Sequence, residues 1–334
     1  MSALFSSINW ITPVPTVPSP ASAIRRGEDI MVIRLSAKMR ALRVRLGVSS
    51  RKYQPKLAAK LAAPYRRPMN TSPILLVLAG KRDGKLDPMA ADAGVSHKCR
   101  VPICGKALLQ WVLEAAIPAF PDTKILVSIH DPSVITDLPA VIELEKTGRL
   151  IICQAQAGIV ESVEYAAKQA GDSAWPMVIT TADNVLVTSE LMRDVHSDAL
   201  AGDGDAVVVL ATREAIQAAH PEGQRRFYEF SDAAISNCNL FWLRNATALK
   251  AAEAFRQGGQ FIKTKGRIAK SFGIINLIRF RLGWWNLDTA FKAISRALGA
   301  RVVPYMTTDG AYAVDVDNPR TYAIAEILLK ERKL

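Results

Sequence analysis

The chain has 334 residues, 49% of them hydrophobic and 22% charged, a composition typical of a globular protein with a substantial core. Its formal net charge of +12 is concentrated in residues 1–70, which hold 13 basic and two acidic residues, whereas residues 71–334 hold 30 basic and 29 acidic ones. Because the larger part is nearly neutral, the sequence argues against a nucleic-acid partner.

Residues 1–70 differ from the rest of the chain and are predicted to form a basic, disordered leader. Four prolines between positions 13 and 20 favour an extended opening, and the basic segment MVIRLSAKMRALRVRLGV that follows has an amphipathic pattern. Two other interpretations stay open, a transit peptide and a helix on an anionic lipid surface. No apolar run reaches the roughly 18 residues that cross a bilayer, and we expect a cytoplasmic protein.

From Ile74 onward, short apolar runs alternate with helical patterns, which predicts a mostly parallel sheet covered by helices on both faces. The strands predicted from these runs span 74–80, 124–130, 150–156, 176–183 and 205–213. The helices predicted between them span 107–119, 134–146 and 161–169, with another from Leu191 after an N-cap at Ser189.

The pattern changes after residue 215. Short runs at 227–230 and 238–244 flank a polar turn, which predicts a small antiparallel insertion. Beyond it the sequence predicts helices over 246–257 and 261–282, strands over 301–306 and 311–317, and a last helix that begins near Pro319. The whole order predicts a three-layer α/β sandwich.

Three aspartates stand where a sheet of this kind binds ligands. Asp183 ends a predicted buried strand, and the carboxyl ends of parallel strands line the ligand-binding edge. It could hold Mg²⁺ against phosphate oxygens, or cap the next helix with Asn184 in the turn. Asp315 and Asp317 form Asp-Val-Asp and would face the same side of a strand. Two such carboxylates repel unless a cation lies between them, and the alternative is that Asp317 caps the last helix.

Glycine-containing loops follow the first and third predicted strands. Gly80 and Gly84 allow close backbone approach in the first loop, as in sites that hold a polyphosphate. Lys98, farther on, would offer a point charge to a phosphate or be a solvated loop lysine. Gly158 and Ser162 lie at the head of a helix, where they would suit a nucleobase or ribose edge or equally cap the helix.

The order of these motifs resembles that of the MobA-like NTP transferases from about Ile74 to Leu329. The motifs are LVLAG with its charged loop, HKCRVPICGKALLQWVL, AGIVESVEYAA, TTADNVL and AVDVDNPRTY. The resemblance implies a Rossmann-like, GT-A (nucleotide-diphospho-sugar transferase) type of domain over 71–334. Its nucleotide-binding half would cover about 71–215 and its acceptor-binding half 216–334. The phosphate loop departs from the usual LAAGxGxRM, since this chain has LAGKRDGKLDPM.

The resemblance also implies which residues would hold the nucleotide. The backbone of the first loop would cradle the triphosphate at Ala79, Gly80 and Lys81. Lys98 would neutralise the α-phosphate as pyrophosphate leaves. Base and ribose would be contacted by Gly158 and Ser162.

The activity that the resemblance implies is Mg²⁺-dependent transfer of NMP from an NTP to a phosphorylated small-molecule acceptor, with release of pyrophosphate. Lys98 and Asp183 would be the catalytic residues. Asp183 would hold Mg²⁺, with Asp315 or Asp317 completing the metal site. The sequence leaves the base, the acceptor and the oligomeric state open.

Two other functions stay open. A glycosyltransferase of the same fold would take a sugar from a nucleotide-sugar, but it needs an Asp-x-Asp after the Asp183 strand, and the chain has Asp183-Asn184-Val185 there. A catalytically inactive, membrane-associated relative would contact lipid through residues 1–70 or through IAKSFGIINLIRFRLGWW at 268–285. For the latter stretch, the interpretation we favour is a core helix of the acceptor-binding half.

Overall fold

The computed structural model of the chain describes residues 72–81, 86–249 and 284–332. The predicted leader, Gly84, the helix predicted over 261–282, most of the helix predicted over 246–257 and most of the 268–285 stretch therefore lie outside the described residues. No helix within the described ranges combines the length and the apolar character needed to cross a bilayer. Membrane contact through 1–70 or 268–285 stays a prediction.

In the described part of the chain, a central sheet of eight strands confirms the predicted mixed α/β architecture with a mostly parallel sheet. Its strands are β1 (Ile74–Leu78), β4 (Ile125–Ile129), β5 (Leu150–Gln154), β6 (Met177–Thr181), β7 (Ala206–Thr212), β8 (Tyr228–Glu229), β9 (Ala234–Leu243) and β10 (Val302–Thr307). Seven of them follow the order β10-β7-β9-β6-β1-β4-β5, and β8 pairs with β9. A separate antiparallel pair consists of β2 (Pro102–Ile103) and β3 (Lys106–Ala107).

Helices cover both faces of this sheet, as the alternating pattern predicts. The helices in the described part of the chain are α1 (Pro88–Asp92), α2 (Leu108–Ala119), α3 (Pro139–Lys146), α4 (Ile159–Ala170), α5 (Ser189–Ala201), α6 (Arg213–Ala219), α7 (Leu287–Leu298) and α8 (Pro319–Glu331). Successive side chains of β1 point to opposite faces. Leu75 and Val77 therefore join one core with α2, α3 and α5, whereas Ile74 and Leu76 join a second core with α4 and α7.

The antiparallel strand lies in the middle of the sheet. β9 runs antiparallel to both β6 and β7, which it separates, and is longer than the predicted run at 238–244. Its residues are buried or half-buried along the whole length, as expected of a strand with neighbours on both sides. Because β9 is reversed, its residues 235–240 lie beside the carboxyl ends of β6 and β7, where Ile235 pairs with Thr212 and Leu240 with Thr180.

Three local predictions are wrong. The strand predicted over 311–317 is a 3₁₀-helix at Gly310–Ala313 followed by an irregular segment, because the Asp309 side chain accepts the Ala311 N–H and so caps a turn. The helix predicted over 134–146 is interrupted, since Pro139 begins a new helix at its first position. The N-cap of α5 is Thr188, whose side chain accepts the Leu191 N–H, and not Ser189.

Candidate active site

The carboxyl ends of the parallel strands carry most of the residues singled out in the sequence. β1, β4 and β6 are parallel neighbours, and β5 extends the same parallel set. Residues 79–81 follow β1, Gly158 follows β5, and Asp183 lies just beyond the end of β6. All of them therefore lie along the edge at which open α/β sheets bind ligands.

Lys98 and three aspartates form one cluster at this edge. The Lys98 Nζ lies 2.5 Å from Asp183 Oδ2 and 2.5 Å from Asp317 Oδ1. Asp183, Asp315 and Asp317 each offer one carboxylate oxygen, and these oxygens lie within 4.8 Å of one another. Residues that are far apart in the sequence thus meet in a group whose formal charges are three negative and one positive.

The position of Asp183 is fixed by bonds on both sides of it. The Thr181 hydroxyl donates to Asp183 Oδ1 at 2.5 Å, and the Val316 N–H donates to the Asp183 carbonyl at 3.0 Å. The second bond ties the end of β6 to the segment that carries Asp315 and Asp317. Asp183 and Asp317 are therefore brought together by backbone pairing as well as by their shared bond to Lys98.

Asp315 is held by a residue that the sequence analysis did not place beside the metal site. The Asn239 Nδ2 donates to Asp315 Oδ2 at 2.8 Å. Asn239 has a left-handed backbone, with φ of 48°, at an irregularity in the pairing of β9 with β7. A left-handed asparagine at a bulge is a local strain often found beside functional groups. The Asn237 side chain bonds the Asn239 N–H and side chain and so supports this conformation.

The alternative, purely structural interpretations of the cluster residues are wrong. Thr188 and not Asp183 caps α5. The N-cap of α8 is Asn318, which forms a reciprocal capping box with Thr321, so Asp317 has no capping role. Lys98 is not a solvated loop lysine, because its side chain is only 21% exposed and bonds two carboxylates.

The charges in the cluster favour the binding of a further cation. Burial alone would lower the pKa of Lys98, but attraction and hydrogen bonds from Asp183 and Asp317 outweigh it and raise that pKa, so Lys98 is charged. Burial, then repulsion from Asp317 and Asp183, raises the pKa of Asp315 well above its ordinary value. A single ammonium group does not compensate three carboxylates, and oxygen ligands of this type are those that Mg²⁺ prefers.

Asp315 should therefore reduce stability at neutral pH when no divalent cation is present. A carboxyl whose pKa is raised by folding favours the folded state at low pH, and this contribution is lost as the pH rises through the folded-state pKa. We expect Asp315→Asn to increase the free energy of unfolding at pH 7 in EDTA by on the order of 1–2 kcal/mol. Urea unfolding measures it, with the exposed Asp172→Asn as a control. The gain should shrink toward pH 4, and no gain at pH 7 would contradict the desolvation and repulsion that we assign to the Asp315 carboxylate.

The loop after β1 is bonded more tightly than expected. The Ala79 N–H donates to the Ser128 carbonyl at 2.8 Å, and the Lys81 N–H donates to the Nδ1 of His130 at 3.0 Å. These two N–H groups are therefore already bonded within the protein, which differs from the expectation that they cradle a triphosphate. The Lys81 side chain, which is half-buried, is the part of this turn that can offer charge to a ligand.

Close packing explains why Gly80 occupies this turn. A Cβ at Gly80 would lie 2.9 Å from Ala155 Cβ and 3.2 Å from His130 Cε1. We expect Gly80→Ala to lower the free energy of unfolding by about 1–3 kcal/mol, as measured by urea unfolding. Ala155→Gly removes one of the obstructing atoms, so a double-mutant cycle should show favourable coupling between the two changes. Additive effects would contradict this packing.

Gly158 and Ser162 make local contacts at the start of α4. Gly158 is the N-cap residue of α4, and the buried Ser162 hydroxyl donates to the Gly158 carbonyl at 2.8 Å. The same hydroxyl accepts the Gln156 N–H at 2.9 Å. The Ser162 hydroxyl is thus bonded to the backbone groups of Gln156 and Gly158 and does not cap the helix, and a contact with base or ribose would come from the backbone of this loop.

A family assignment follows from the sequence match. The model of the MobA-like NTP transferase domain matches residues 76–258, which is more than half of the chain. The chain belongs to the MobA-like NTP transferase family. The match begins within β1 and includes Lys98 and Asp183 and the start of the loop after β1. The family is one of nucleotidyltransferases, so the coarse activity class implied by the motif order is confirmed.

One solved structure with a similar fold supports the architecture. A hypothetical transferase from Thermus thermophilus is 23% identical, with a TM-score of 0.61, and the alignment covers 75% of this chain and 99% of that one. At this identity the likeness establishes the fold alone. The 4-diphosphocytidyl-2C-methyl-D-erythritol synthase from Anaerococcus prevotii also aligns, at 11% identity and a TM-score of 0.48, over 78% of this chain and 99% of that one. No curated protein shows significant sequence similarity to the chain.

Proposed function

We propose that this family member is a Mg²⁺-dependent nucleotidyltransferase that transfers NMP from an NTP to a phosphorylated small molecule and releases pyrophosphate. The observation that carries the proposal is the cluster at the carboxyl edge of the sheet. There Lys98 lies between Asp183 and Asp317, and all three aspartates come within 4.8 Å of one another. An acidic group with one lysine is suited to a metal-bound polyphosphate.

The residues fit a magnesium ion by the chemistry of their donors. Asp183, Asp315 and Asp317 supply carboxylate oxygens, the ligands that this hard cation takes together with substrate phosphates. When bound, Mg²⁺ would neutralise charge on the phosphates and orient them. Asp183 and either Asp315 or Asp317 would hold it, with the third carboxylate and Asn239 shaping the surroundings.

Lys98 would supply positive charge to the reacting phosphates. In nucleotidyl transfer, an oxygen of the acceptor phosphate forms a bond to the α-phosphorus, and the bond from that phosphorus to the oxygen bridging to the β-phosphate breaks. The Lys98 ammonium is only 21% exposed and held by two carboxylates, so it is preorganised for charge that develops on the α-phosphate and on leaving pyrophosphate. Its raised pKa keeps it charged at neutral pH.

The chemistry needs no strong general base. A phosphate monoester is already anionic at neutral pH, so an acceptor of this class needs no proton removed before it attacks. In agreement with this, the cluster as the described residues form it consists of Lys98 and three aspartates and contains no histidine that could act as a base. Positioning and charge neutralisation would then supply the rate acceleration.

The released product tests this function. Purified protein with Mg²⁺, each of ATP, GTP, CTP and UTP, and a panel of sugar 1-phosphates and other phosphate monoesters should release pyrophosphate with at least one pair. Release of a nucleoside diphosphate from a nucleotide-sugar, with no pyrophosphate from any NTP, would instead indicate the glycosyltransferase. The second acidic position of an Asp-x-Asp that began at Asp183 is occupied by the buried Val185, which offers no metal ligand, and this argues against that outcome.

A further inference from the structure

We propose that His130 is a positioning residue for nucleotide binding, because its imidazole replaces a backbone carbonyl and fixes the turn that carries Lys81. The proposal rests on the proposed function, since it concerns the loop next to the triphosphate. Two observations support this role for His130: the hydrogen bonds between β1 and β4, and the packing of the ring against Gly80.

The hydrogen-bond ladder between β1 and β4 continues into a side chain. The Ala79 N–H donates to the Ser128 carbonyl at 2.8 Å, in register with the parallel strands. Two residues farther along both strands, the same register would pair the Lys81 N–H with the His130 carbonyl. The Lys81 N–H donates instead to the ring Nδ1 of His130 at 3.0 Å, while the His130 carbonyl accepts the Gln154 Nε2 at 3.2 Å.

This exchange lets the chain leave the sheet without losing a partner for its N–H. A side-chain acceptor reaches farther from the strand than the backbone carbonyl does, so residue 81 can turn away while staying bonded. The turn is filled by the ring, because a Cβ at Gly80 would lie 3.2 Å from His130 Cε1 and 3.3 Å from its Nδ1. The position of Lys81 therefore depends on both the acceptor atom and the bulk of the imidazole.

The bond also specifies the protonation state of the ring. An Nδ1 that accepts a backbone N–H carries no proton, so the neutral ring has its proton on Nε2. The charged and titratable groups that interact here are Lys81, Asp131 and the buried His97, whose Nε2 has no hydrogen-bond partner in the described part of the chain. Two neutral imidazoles would leave Lys81 as the cation of this turn.

The tautomer can be observed without any substrate. Long-range ¹H–¹⁵N correlation spectra of the full-length protein at pH 8 should show four histidine rings, with the His130 ring in the Nε2–H form. The His130→Asn variant identifies its signal. The Nδ1–H form for His130 would overturn the proposal, because that nitrogen could not then accept the Lys81 N–H.

Nucleotide affinity tests the consequence. We expect His130→Ala to weaken the binding of the best Mg–NTP about tenfold, as one lost buried hydrogen bond implies. His130→Asn keeps an acceptor near Nδ1 and should stay within about threefold of wild type. A matched control is His220→Ala, since the Nδ1 of His220 also accepts a backbone N–H, from Glu222, in another turn; its affinity should be unchanged.

The outcomes separate this proposal from the proposed function. Equal NTP affinity in wild type and His130→Ala would overturn the positioning role while leaving the transferase intact. A loss in His130→Asn as large as in His130→Ala would do the same, because it would show that the acceptor atom has no part in the effect. Should no NTP bind to wild type, the proposed function fails, and the tautomer still decides whether His130 holds Lys81.

Discussion

Replacement of Asp183 by alanine is expected to reduce turnover by at least about 100-fold, the order of loss seen when one preorganised charge is removed from an active site. Asp183 is held by three contacts: the Thr181 hydroxyl, the Lys98 ammonium and, through its carbonyl, the Val316 N–H. The alanine keeps the carbonyl bond, so the segment that carries Asp317 should stay in place. Pyrophosphate release with the best NTP and acceptor measures the effect.

A matched control separates a loss of catalysis from the effect of removing any ion pair. Asp203 also pairs with a basic residue, Arg301, but both precede their strands, so they lie at the opposite edge of the sheet. Asp203→Ala should keep wild-type turnover. Near-wild-type turnover in folded Asp183→Ala would remove Asp183 from the metal site and leave the transferase without its central ligand.

The second large effect is expected from Lys98→Ala, and it has two parts that move in opposite directions. Turnover should fall about 100-fold, because the charge offered to the leaving pyrophosphate is lost. Stabilisation by Mg²⁺ alone should increase, because in the wild-type protein the ammonium bonds the same two carboxylates, Asp183 and Asp317, that a divalent cation would bind. Without Lys98 the three carboxylates repel one another more strongly, and a cation relieves more of that repulsion.

Thermal unfolding with increasing Mg²⁺ measures the second part, since a ligand that binds the folded state raises its melting temperature. The control is Lys106→Ala, which removes another lysine bonded to a carboxylate, that of Glu114 at 2.6 Å. It should change neither turnover nor the response to Mg²⁺. An Mg²⁺ response in Lys98→Ala that is weaker than in wild type would mean that the lysine assists metal binding and does not compete with it.

The sequence predicted the edge of the sheet at which the site lies, because that edge follows from short-range patterns. A run of buried residues that ends in a polar one marks the carboxyl end of a strand, and the run before Asp183 does so in β6. The role of Lys98 was harder to predict. Whether this lysine is solvated or bonded depends on partners from distant parts of the chain, which local patterns do not show. The ion pairs with Asp183 and Asp317 decide this.

The prediction of a strand over 311–317, which was based on alternating apolar and polar residues, failed for an identifiable reason. The stretch around Asp315 has the apolar and polar alternation of a strand, but Asp309 caps a 3₁₀-turn and Gly310 packs so closely on α6 that a Cβ there would lie 2.2 Å from the Ile216 backbone nitrogen. A tertiary contact of this kind has no local signal. Asp315 and Asp317 nevertheless reach the cluster, by the pairing of Val316 with the end of β6.

The supporting residues were not predictable from the sequence, since each depends on strand order. Asn239 reaches Asp315 only because β9 is inserted between β6 and β7 and is irregular there. His130 meets Lys81 only because β4 lies beside β1. Both belong to runs that the sequence did predict as strands, and a polar side chain near the end of such a run is the one signal that could have drawn attention to them.

Binding of each NTP in the presence and absence of Mg²⁺ tests the central claim most directly. Calorimetric titration of wild-type protein should show one NTP that binds at least about tenfold more tightly with Mg²⁺, since metal and triphosphate would share one site. Asp183→Ala should lose this metal-dependent gain, and Asp203→Ala should keep it. The claim is contradicted if no NTP binds to wild type, or if the gain from Mg²⁺ is the same in Asp183→Ala.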